Sequence, residues 1–152
     1  MVSFQEFFIE KTVLGLEEKI YIDGVGEVQA KLDTGNGAYN VLHGENIDIQ
    51  NNNATFQTLN GITLSKPVEE TITINVGAGN KEDRPVCLFD CNFGGKVFQK
   101  IPFSIGNRME NMHKVLIGKD FIKDQLDALI DVGLSNIAHQ NITHDHAASI
   151  NL

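Results

Sequence analysis

The chain has 152 residues, of which 41% are hydrophobic and 21% charged, and these proportions fit one ordinary globular domain. Its 20 acidic and 12 basic residues give a formal net charge of −8, which argues against a nucleic-acid binder that depends on a basic face. No run of about 18 apolar residues could span a membrane, and the first residues lack the pattern of a secretion signal, so we expect neither nucleic acid nor a membrane as partner.

The N-terminal third predicts a helix and then a hairpin. A capping box and phenylalanines at helical spacing predict a short helix over residues 3–10, although the same bulky residues would also fit an edge strand. Alternating apolar residues then predict two antiparallel strands joined by a turn at Asp23-Gly24. The second of these strands leads directly into Asp33.

The middle of the chain predicts further antiparallel strands. The polar residues 44–54 are typical of a loop. Asn60-Gly61 predicts a hairpin turn, because both residues tolerate positive φ. We expect Thr71–Val76 to pair with Pro85–Phe89, and Gly94-Gly95 to turn the chain into the following strand.

Helical spacing returns near the C-terminus. Apolar residues from Phe121 to Ile130 predict a helix with Gly133 as its C-cap. The remaining residues, 135–152, are polar and small, and we predict that they form a mobile tail behind a folded domain of residues 1–134. The expected fold is therefore mainly β, with one helix near each end.

The two cysteines, Cys87 and Cys91, lie in one predicted strand. At roughly 3.3 Å per residue their Cα atoms would be about 13 Å apart, whereas a disulfide needs about 7 Å or less. We therefore predict two reduced, partly buried thiols, which are compatible with a reducing compartment.

The strand that ends at Leu32 runs into Asp33-Thr34-Gly35. In this arrangement the aspartate presents its carboxylate on a tight turn, the threonine can hydrogen-bond to lock the turn, and the glycine leaves room for a close approach. Asp33, Thr34 and Gly35 are therefore the candidate catalytic residues. A plain turn is the alternative interpretation, because Asp and Gly are frequent in turns of every kind.

A second element lies further along the chain, where the apolar run Val115–Ile117 is followed by Gly118 and a helix. Together the two elements resemble the retropepsin-like aspartic proteases, in which such a strand supports the Asp-Thr-Gly loop. The resemblance is closer to the bacterial and phage retropepsin-like family called ATP-dependent zinc proteases, over roughly residues 12–125. The matching residues, in order, are Ala30–Gly35, Val41–His43, Arg84–Val86, Arg108 and Leu116–Phe121. The chain departs from the family pattern at Asn36-Gly37, Lys114 and Lys119.

The resemblance implies a retropepsin-like acid-protease barrel with a short C-terminal helix, and hydrolysis of peptide bonds. Carboxylate catalysis needs one ionised group to activate water and one protonated group to polarise the carbonyl. Two carboxylates about 3 Å apart repel by roughly 5 kcal/mol at an effective dielectric near 20, so such a pair shares one proton.

The sequence has one Asp-Thr-Gly loop, so we expect a homodimer in which each subunit contributes Asp33. In such a site Thr34 would orient the loop and Gly35 would admit the substrate. Asp120 and Asp131 are possible partners within the chain, although Asp120 fits better as an acid at the start of a helix.

The expected substrate is a peptide or protein held under a flap that excludes water. Either the Asn60-Gly61 hairpin or the glycine-rich loop Val76–Arg84 could form that flap. Arg84 and Arg108 match family positions and could bind an acidic substrate, or they could form ion pairs within this acidic chain. The candidate substrate-binding residues are therefore Arg84, Arg108, Asn60 and Gly61.

The family name mentions zinc and ATP, but the sequence predicts neither. His43 and His113 are isolated, and His139, His144 and His146 lie in the polar tail, which lacks the rigidity that a zinc site requires. The chain also has no phosphate-binding loop of the P-loop type. We therefore expect no metal and no other cofactor.

Two functions are compatible with these features. The first is an aspartic-type peptidase that works as a homodimer in the cytoplasm, or in association with a virion if a phage encodes it. The second is a non-catalytic module of the same fold that serves binding or assembly, for example as a phage structural protein. The polar segment Asn51–Asn53, the tail and the unusual Asn36-Gly37 motivate this alternative. The geometry around Asp33 in the assembled oligomer would distinguish them.

Overall fold

A computed structural model describes residues 12–37 and 39–138 of the chain. These residues form eleven β-strands and one short helix. The strands are β1 (Thr12–Ile22), β2 (Gly26–Asp33), β3 (Asn40–His43), β4 (Glu45–Gln50), β5 (Asn53–Gln57), β6 (Thr63–Pro67), β7 (Glu70–Gly77), β8 (Asn80–Phe93), β9 (Lys96–Gly106), β10 (Val115–Gly118) and β11 (Ala128–Ser135). The short helix spans Phe121–Leu126, and a 3-10 turn, Leu59–Gly61, lies between β5 and β6. The predicted mainly-β fold with a short helical segment near its C-terminal end is thereby confirmed.

Two sheets account for all of the described strands. The larger has the order β11-β1-β2-β10-β3-β9-β8-β7, and β1 also pairs with β8, so that six of its strands form a closed ring. The smaller sheet has the order β4-β5-β6. Within the larger sheet, β10 lies between β2 and β3, parallel to the first and antiparallel to the second. This placement brings the end of β10 to the end of β2, where Asp33 lies.

The predicted hairpin turns are present, but β7 pairs with an earlier stretch of β8 than the predicted Pro85–Phe89. Thr71 lies opposite Pro85 and Asn75 opposite Lys81, so residues 80–84, predicted to be part of a loop, belong to a strand. β1 pairs with β2 up to Ile22 opposite Gly26, and β8 pairs with β9 up to Phe93 opposite Lys96, across Gly94-Gly95. β5 and β6 are joined through Asn60 and Gly61, which both have positive φ, 59° and 72°. Local turn chemistry fixes these hairpins, because few other residues adopt the left-handed region at low cost.

Aromatic and aliphatic side chains from both sheets form the buried core. Phe89 and Phe103 are almost fully buried, and their rings meet edge to face with centroids 5.5 Å apart. Phe121 of the short helix contacts Phe98 of β9 in a similar way, at 5.2 Å. The short helix is thus attached to the sheet through an aromatic pair, a geometry that adds to plain area burial.

The prediction of a loop over residues 44–54 is wrong. β4 and β5 form a hairpin there, and Asn51 and Asn52 make its turn with φ of 52° and 61°. β4 is largely exposed, so it needs few apolar residues and its polar sequence conceals the strand. Asparagine supplies the positive φ because its short polar side chain tolerates that conformation.

The predicted C-terminal helix is shorter than its sequence pattern. It ends at Asp127, which adopts a left-handed conformation with φ of 48°, and not at Gly133. Ile130, predicted to be helical, lies in β11. This strand runs parallel to β1 and provides the backbone hydrogen-bond partners along the outer edge of β1. Gly15 permits this pairing, because a side chain there would overlap the backbone of Leu134.

The packed region extends past the predicted boundary at residue 134. The backbone N–H groups of Ile137 and Ala138 donate to the carboxylate of Glu18, at 3.2 and 3.0 Å. The predicted helix over residues 3–10 and the tail residues from 139 onward lie outside the described residues. Among the described residues, none belongs to a helix long and apolar enough to cross a membrane.

Both cysteines are free and buried in β8, as the sequence predicted for reduced thiols. Burial is the main cause that raises the pKa of Cys87 to about 11 and that of Cys91 to about 12. Neither group is therefore an activated nucleophile at neutral pH.

Candidate functional site

The end of β2 presents the carboxylate of Asp33 on a tight turn. The N–H of Gly35 donates to Asp33 Oδ1 at 3.1 Å, and the N–H of Asn36 donates to the Asp33 carbonyl, also at 3.1 Å. Asp33 is half-buried, whereas Thr34 and Gly35 are exposed. The turn therefore fixes the carboxylate in orientation while leaving the neighbouring backbone open to a ligand or a second chain.

The strand β10 holds this turn from the other side. Gly118 lies opposite Asp33 in the parallel pairing of β10 with β2, and the N–H of Lys119 donates to the Asn36 carbonyl at 3.0 Å. A methyl group on Gly118 would come within 2.8 Å of the Gly37 carbonyl oxygen. Only glycine permits this approach, so the Asp-Thr-Gly turn and the apolar run ending at Gly118 form one unit.

Asn40, which the sequence analysis did not identify, links this unit to the rest of the sheet. It is buried, its Oδ1 accepts the N–H of Gly118 at 2.8 Å, and its Nδ2 donates to the Pro102 carbonyl at 3.1 Å. Asn36, one of the departures from the family pattern, donates from Nδ2 to the Tyr39 carbonyl at 2.9 Å. The unusual asparagine therefore belongs to the hydrogen bonding of the turn.

A groove of about 450 Å³ lies beside the Asp33 turn. Its walls come from the turn, from the middle of β7 and from two cationic side chains. The lining includes Asn36, Gly37, Ile72–Asn75, Arg84 and Arg108. A larger cavity of about 640 Å³ is lined instead by β1 and by residues near Gly94 and Ala138, so it does not include the Asp33 turn.

Arg84 lies across the backbone of Gly106, where any side chain on Gly106 would overlap its guanidinium. Its Nη2 and Nε both approach Glu82 Oε2, at 3.0 and 3.2 Å. The Arg84 side chain is 12% exposed and that of Glu82 37%. The ion-pair interpretation made from the sequence therefore applies to Arg84, although the residue also lines the groove.

Arg108 is held differently. Its backbone N–H donates to His43 Nδ1 at 2.9 Å, and its Nε donates to the His113 carbonyl at 2.8 Å. Burial is the largest cause lowering its pKa, nearby Arg84 lowers it further, and nearby Asp33 raises it. Arg84 and Arg108 both line the groove beside the Asp33 turn, so the two predicted cations lie near the predicted catalytic carboxylate.

Asn60 and Gly61 take a different position from that predicted. Asn60 lines a separate cavity of about 400 Å³, together with Gln29 and Met112, and neither it nor Gly61 lines the groove beside Asp33. Of the two flap candidates, the β7–β8 hairpin is therefore the one that lines this groove. The substrate-binding interpretation of Asn60 and Gly61 finds no support in this placement.

The possible partners of Asp33 within the chain lie on other elements. Asp120 immediately precedes the short helix, as expected for an acid at a helix start. Asp131 lies on β11 opposite Gly15, and its Oδ1 accepts the N–H of Gly133 at 2.9 Å. β11 is separated from β2 by β1, so Asp131 is not part of the Asp33 turn.

The described residues contain no group of three or more His, Cys, Asp or Glu side chains suited to holding a metal ion. His43 accepts the Arg108 N–H, and His113 Nε2 lies 2.7 Å from Glu17 Oε1. The other three histidines of the sequence, at positions 139, 144 and 146, fall outside the described residues.

The chain is similar to a solved structure, the crystal structure of Lpg0085, a protein of unknown function (DUF785) from Legionella pneumophila subsp. pneumophila str. Philadelphia 1. The two share 27% sequence identity with a TM-score of 0.66, over 84% of this chain and 98% of the Legionella chain. No family model matches the chain, and no curated protein matches it. The fold is thus similar to that of a bacterial protein, and the similarity covers almost the whole of the bacterial chain.

Proposed function

We propose that the protein is a retropepsin-like aspartic peptidase that acts as a homodimer, with Asp33 of each subunit forming the catalytic pair. The observation that carries the proposal is the close contact between the Asp33 turn and Gly118, beside an open groove. A carboxylate on a turn of this rigidity keeps its orientation when a second charged group approaches, as acid–base catalysis requires.

The need for two subunits follows from the chemistry. One carboxylate cannot both activate water and donate a proton to the same carbonyl in one step. Thr34 and Gly35 are exposed in the single chain, so their surfaces are free to meet the same residues of a second copy across a two-fold axis. Such an axis would bring two Asp33 side chains together, and the pair would share one proton.

The proposed substrate is a peptide that carries acidic side chains, cleaved in the cytoplasm or in a virion-associated setting. Arg84 and Arg108 supply positive charge to the groove, and Arg84 is already paired with Glu82. Arg108 is therefore the stronger candidate to bind a substrate carboxylate, since a guanidinium matches that group in both charge and shape.

The second candidate function is a non-catalytic binding module of the same fold. It is favoured by the fact that the described residues place one turn carboxylate, that of Asp33, beside the groove and place Asp131 on another strand. If the two copies of the chain meet elsewhere, the groove would still bind a carboxylate-bearing peptide but would not hydrolyse it.

The decisive experiment compares Asp33→Asn with the wild-type chain on a library of glutamate-containing peptides near pH 5, with cleavage detected by mass spectrometry. Asp48→Asn is the matched control, because Asp48 is exposed on β4 and hydrogen-bonds locally with Gln50. We expect Asp33→Asn to reduce cleavage at least about 100-fold. Cleavage by Asp33→Asn at the wild-type rate would exclude the proposed site.

A mixing experiment tests the shared pair directly. Wild-type and Asp33→Asn chains are unfolded together, refolded at several ratios and assayed. If both subunits must supply a carboxylate, activity falls with the square of the wild-type fraction. A linear decrease would show that each chain acts alone. Light scattering of the same samples gives the oligomeric state.

A further inference from the structure

Three separate contacts fix Arg108 beside the groove. Its backbone N–H donates to His43 Nδ1 at 2.9 Å, its carbonyl accepts from Lys114 Nζ at 2.9 Å, and its Nε donates to the His113 carbonyl at 2.8 Å. Within residues 12–37 and 39–138, no hydrogen bond uses its two terminal nitrogens. Arg108 is thus held at its backbone and at Nε, and its two terminal guanidinium nitrogens can still donate to a ligand in the groove.

His43 connects Arg108 to the strands that carry the Asp33 turn. It ends β3, which pairs with β10, and β10 in turn pairs with β2. His43 as a whole is 5% exposed, and its carbonyl accepts the Thr58 hydroxyl at 2.6 Å. A backbone hydrogen bond from the His43 N–H to the Lys114 carbonyl, 2.9 Å, ties it to the segment that follows Arg108.

The hydrogen bond to Arg108 fixes the protonation state of His43. Nδ1 accepts an N–H, so it carries no proton, and the neutral ring bears its proton on Nε2. A second proton on Nδ1 would set two donors against each other. The charged groups that act on this ring are the cations Lys114 and Arg108 and the anion Glu45.

Lys114 closes the loop that contains Arg108. Its Nζ donates to three backbone carbonyls of that loop, those of Arg108, Met109 and Asn111, at 2.9, 2.5 and 2.6 Å. An ammonium has three protons to donate, so these contacts use all of them. Lys114 is one of the positions at which this chain departs from the family pattern, and its three hydrogen bonds hold the backbone of this loop together.

We propose that His43 and Lys114 are positioning residues that hold Arg108 ready to bind an acidic side chain of the peptide substrate. The inference rests on the proposed function for the identity of the ligand, but it concerns binding and not hydrolysis. Its consequence is that selectivity for glutamate over glutamine depends on two residues that do not line the groove.

The test measures binding in the Asp33→Asn background, so that no cleavage is needed. Fluorescence anisotropy gives the Kd of a labelled glutamate peptide and of the same peptide with glutamines. His43→Phe and Lys114→Met remove the two contacts, and we expect each to weaken glutamate binding about tenfold with little effect on glutamine binding. His43→Asn retains an acceptor near the position of Nδ1 and should preserve the selectivity.

A pH series supplies a readout that a merely structural role would not change and does not depend on either disruptive variant folding. The peptide carboxylates stay mostly ionised between pH 7 and 5, so its charge is nearly constant. The affinity for the glutamate peptide should fall toward pH 5 in the protein that retains His43. In His43→Asn the same affinity should not change with pH. A level profile in both proteins would overturn the role of His43.

The outcomes separate this inference from the proposed function. Loss of selectivity in Arg108→Met together with retained selectivity in His43→Phe and Lys114→Met would overturn the positioning role alone. Retained selectivity in Arg108→Met would overturn both the proposed binding of the substrate carboxylate by Arg108 and the positioning role of His43 and Lys114. Peptide hydrolysis through Asp33 is judged separately, by the cleavage and mixing experiments.

Discussion

Gly118 lies directly opposite Asp33 in the parallel pairing of β10 with β2, and its missing side chain determines how the Asp33 turn is built. A Cβ at this position would meet the carbonyl oxygens of Gly37 and Tyr39 at 2.8 and 3.0 Å. Both contacts are with backbone, which cannot rotate away as a side chain would. The geometry of the proposed catalytic group therefore depends on a residue 85 positions away from it in the sequence.

We predict that Gly118→Ala displaces the Asp33 turn, lowers the free energy of unfolding by about 1–3 kcal/mol and abolishes Asp33-dependent cleavage. Gly37→Ala is the matched control for stability, because among the described residues, its chain neighbours aside, no atom lies within 4 Å of a Cβ there, and its φ is not positive. Thermal denaturation followed by circular dichroism measures both variants. Equal melting temperatures would contradict the close-packing argument.

Glu18 supplies a second prediction. Its carboxylate is almost fully buried and accepts the N–H groups of Gly15, Ile137 and Ala138, at 2.7, 3.2 and 3.0 Å. In Glu18→Gln an amide NH₂ replaces one carboxylate oxygen and faces a backbone N–H, so that two donors oppose each other. We therefore expect the free energy of unfolding to fall by about 1–3 kcal/mol.

Hydrogen exchange should locate the effect of Glu18→Gln at residues 137–138 and at Gly15. The control is Glu27→Gln, which removes an exposed ion pair with Lys19 at 3.8 Å and should change stability by less than about 0.5 kcal/mol. A Glu18→Gln variant as stable as this control would show that the buried carboxylate does not hold the C-terminal segment.

The pH dependence of stability follows from His43. Burial is the largest cause that lowers its pKa in the folded chain below the usual 6.5. Below pH 6.5 the unfolded chain therefore binds more protons at this residue than the folded chain does, and the free energy of unfolding decreases as the pH falls. The stabilisation is complete above pH 6.5 and is lost as the pH falls through the lowered pKa.

Urea denaturation at intervals between pH 8 and 5 measures this effect. The other acidic and basic groups contribute to both proteins, so the informative quantity is the difference between wild type and His43→Asn. That difference should narrow toward low pH as the wild type loses the contribution of the neutral imidazole. A difference that is constant with pH would contradict the linkage.

The buried thiols give a further prediction. Cys87 and Cys91 are both nearly inaccessible, and their raised pKa values leave almost no thiolate at neutral pH. We expect neither to react with a thiol reagent in the folded chain and both to react at the rate of global unfolding. Mass spectrometry of samples pulsed with iodoacetamide at increasing urea would measure this. Rapid labelling in native buffer would contradict it.

Much of the fold follows from local signals in the sequence. The turns at Asn60-Gly61 and Gly94-Gly95 are encoded by residues that accept positive φ, so the flanking strands could be paired in advance. The Asp33 turn is likewise local, because its hydrogen bonds to Gly35 and Asn36 join near neighbours. Such features could be predicted because they do not depend on the rest of the chain.

The features that could not be predicted depend on contacts between distant segments. The apolar residues of Ala128–Ser135 fit a helix as well as a strand, and the edge of β1 decides in favour of the strand. Asn40 belongs to no motif, and His43, although it matches the family pattern, gives no sign in the sequence of its partner. The roles of both depend on the backbone groups of Gly118 and Arg108 that face them in the fold. Likewise, the separation of Asn60 from the groove is visible only in three dimensions.

The pairing of Arg84 with Glu82 leads to the last prediction. Glu82 lies on β8, and its carboxylate neutralises a guanidinium that would otherwise add to the positive charge of Arg108 in the groove. Under the proposed function, a substrate carboxylate competes with Glu82 for Arg84, so we expect the wild-type chain to bind acidic peptides less tightly than its two arginines allow. Glu82→Gln removes the competing charge and retains most of the side-chain volume.

We therefore expect Glu82→Gln, in the Asp33→Asn background, to tighten binding of the glutamate peptide roughly fivefold, equivalent to about 1 kcal/mol. Binding of the glutamine peptide should change little. Asp83→Asn is the matched control, because Asp83 is the next residue along β8 and hydrogen-bonds with Thr73 instead of with Arg84. The gain should shrink at high salt, which screens a partly exposed pair. Weaker glutamate binding in Glu82→Gln would mean that Glu82 orients Arg84 for the substrate and does not compete with it.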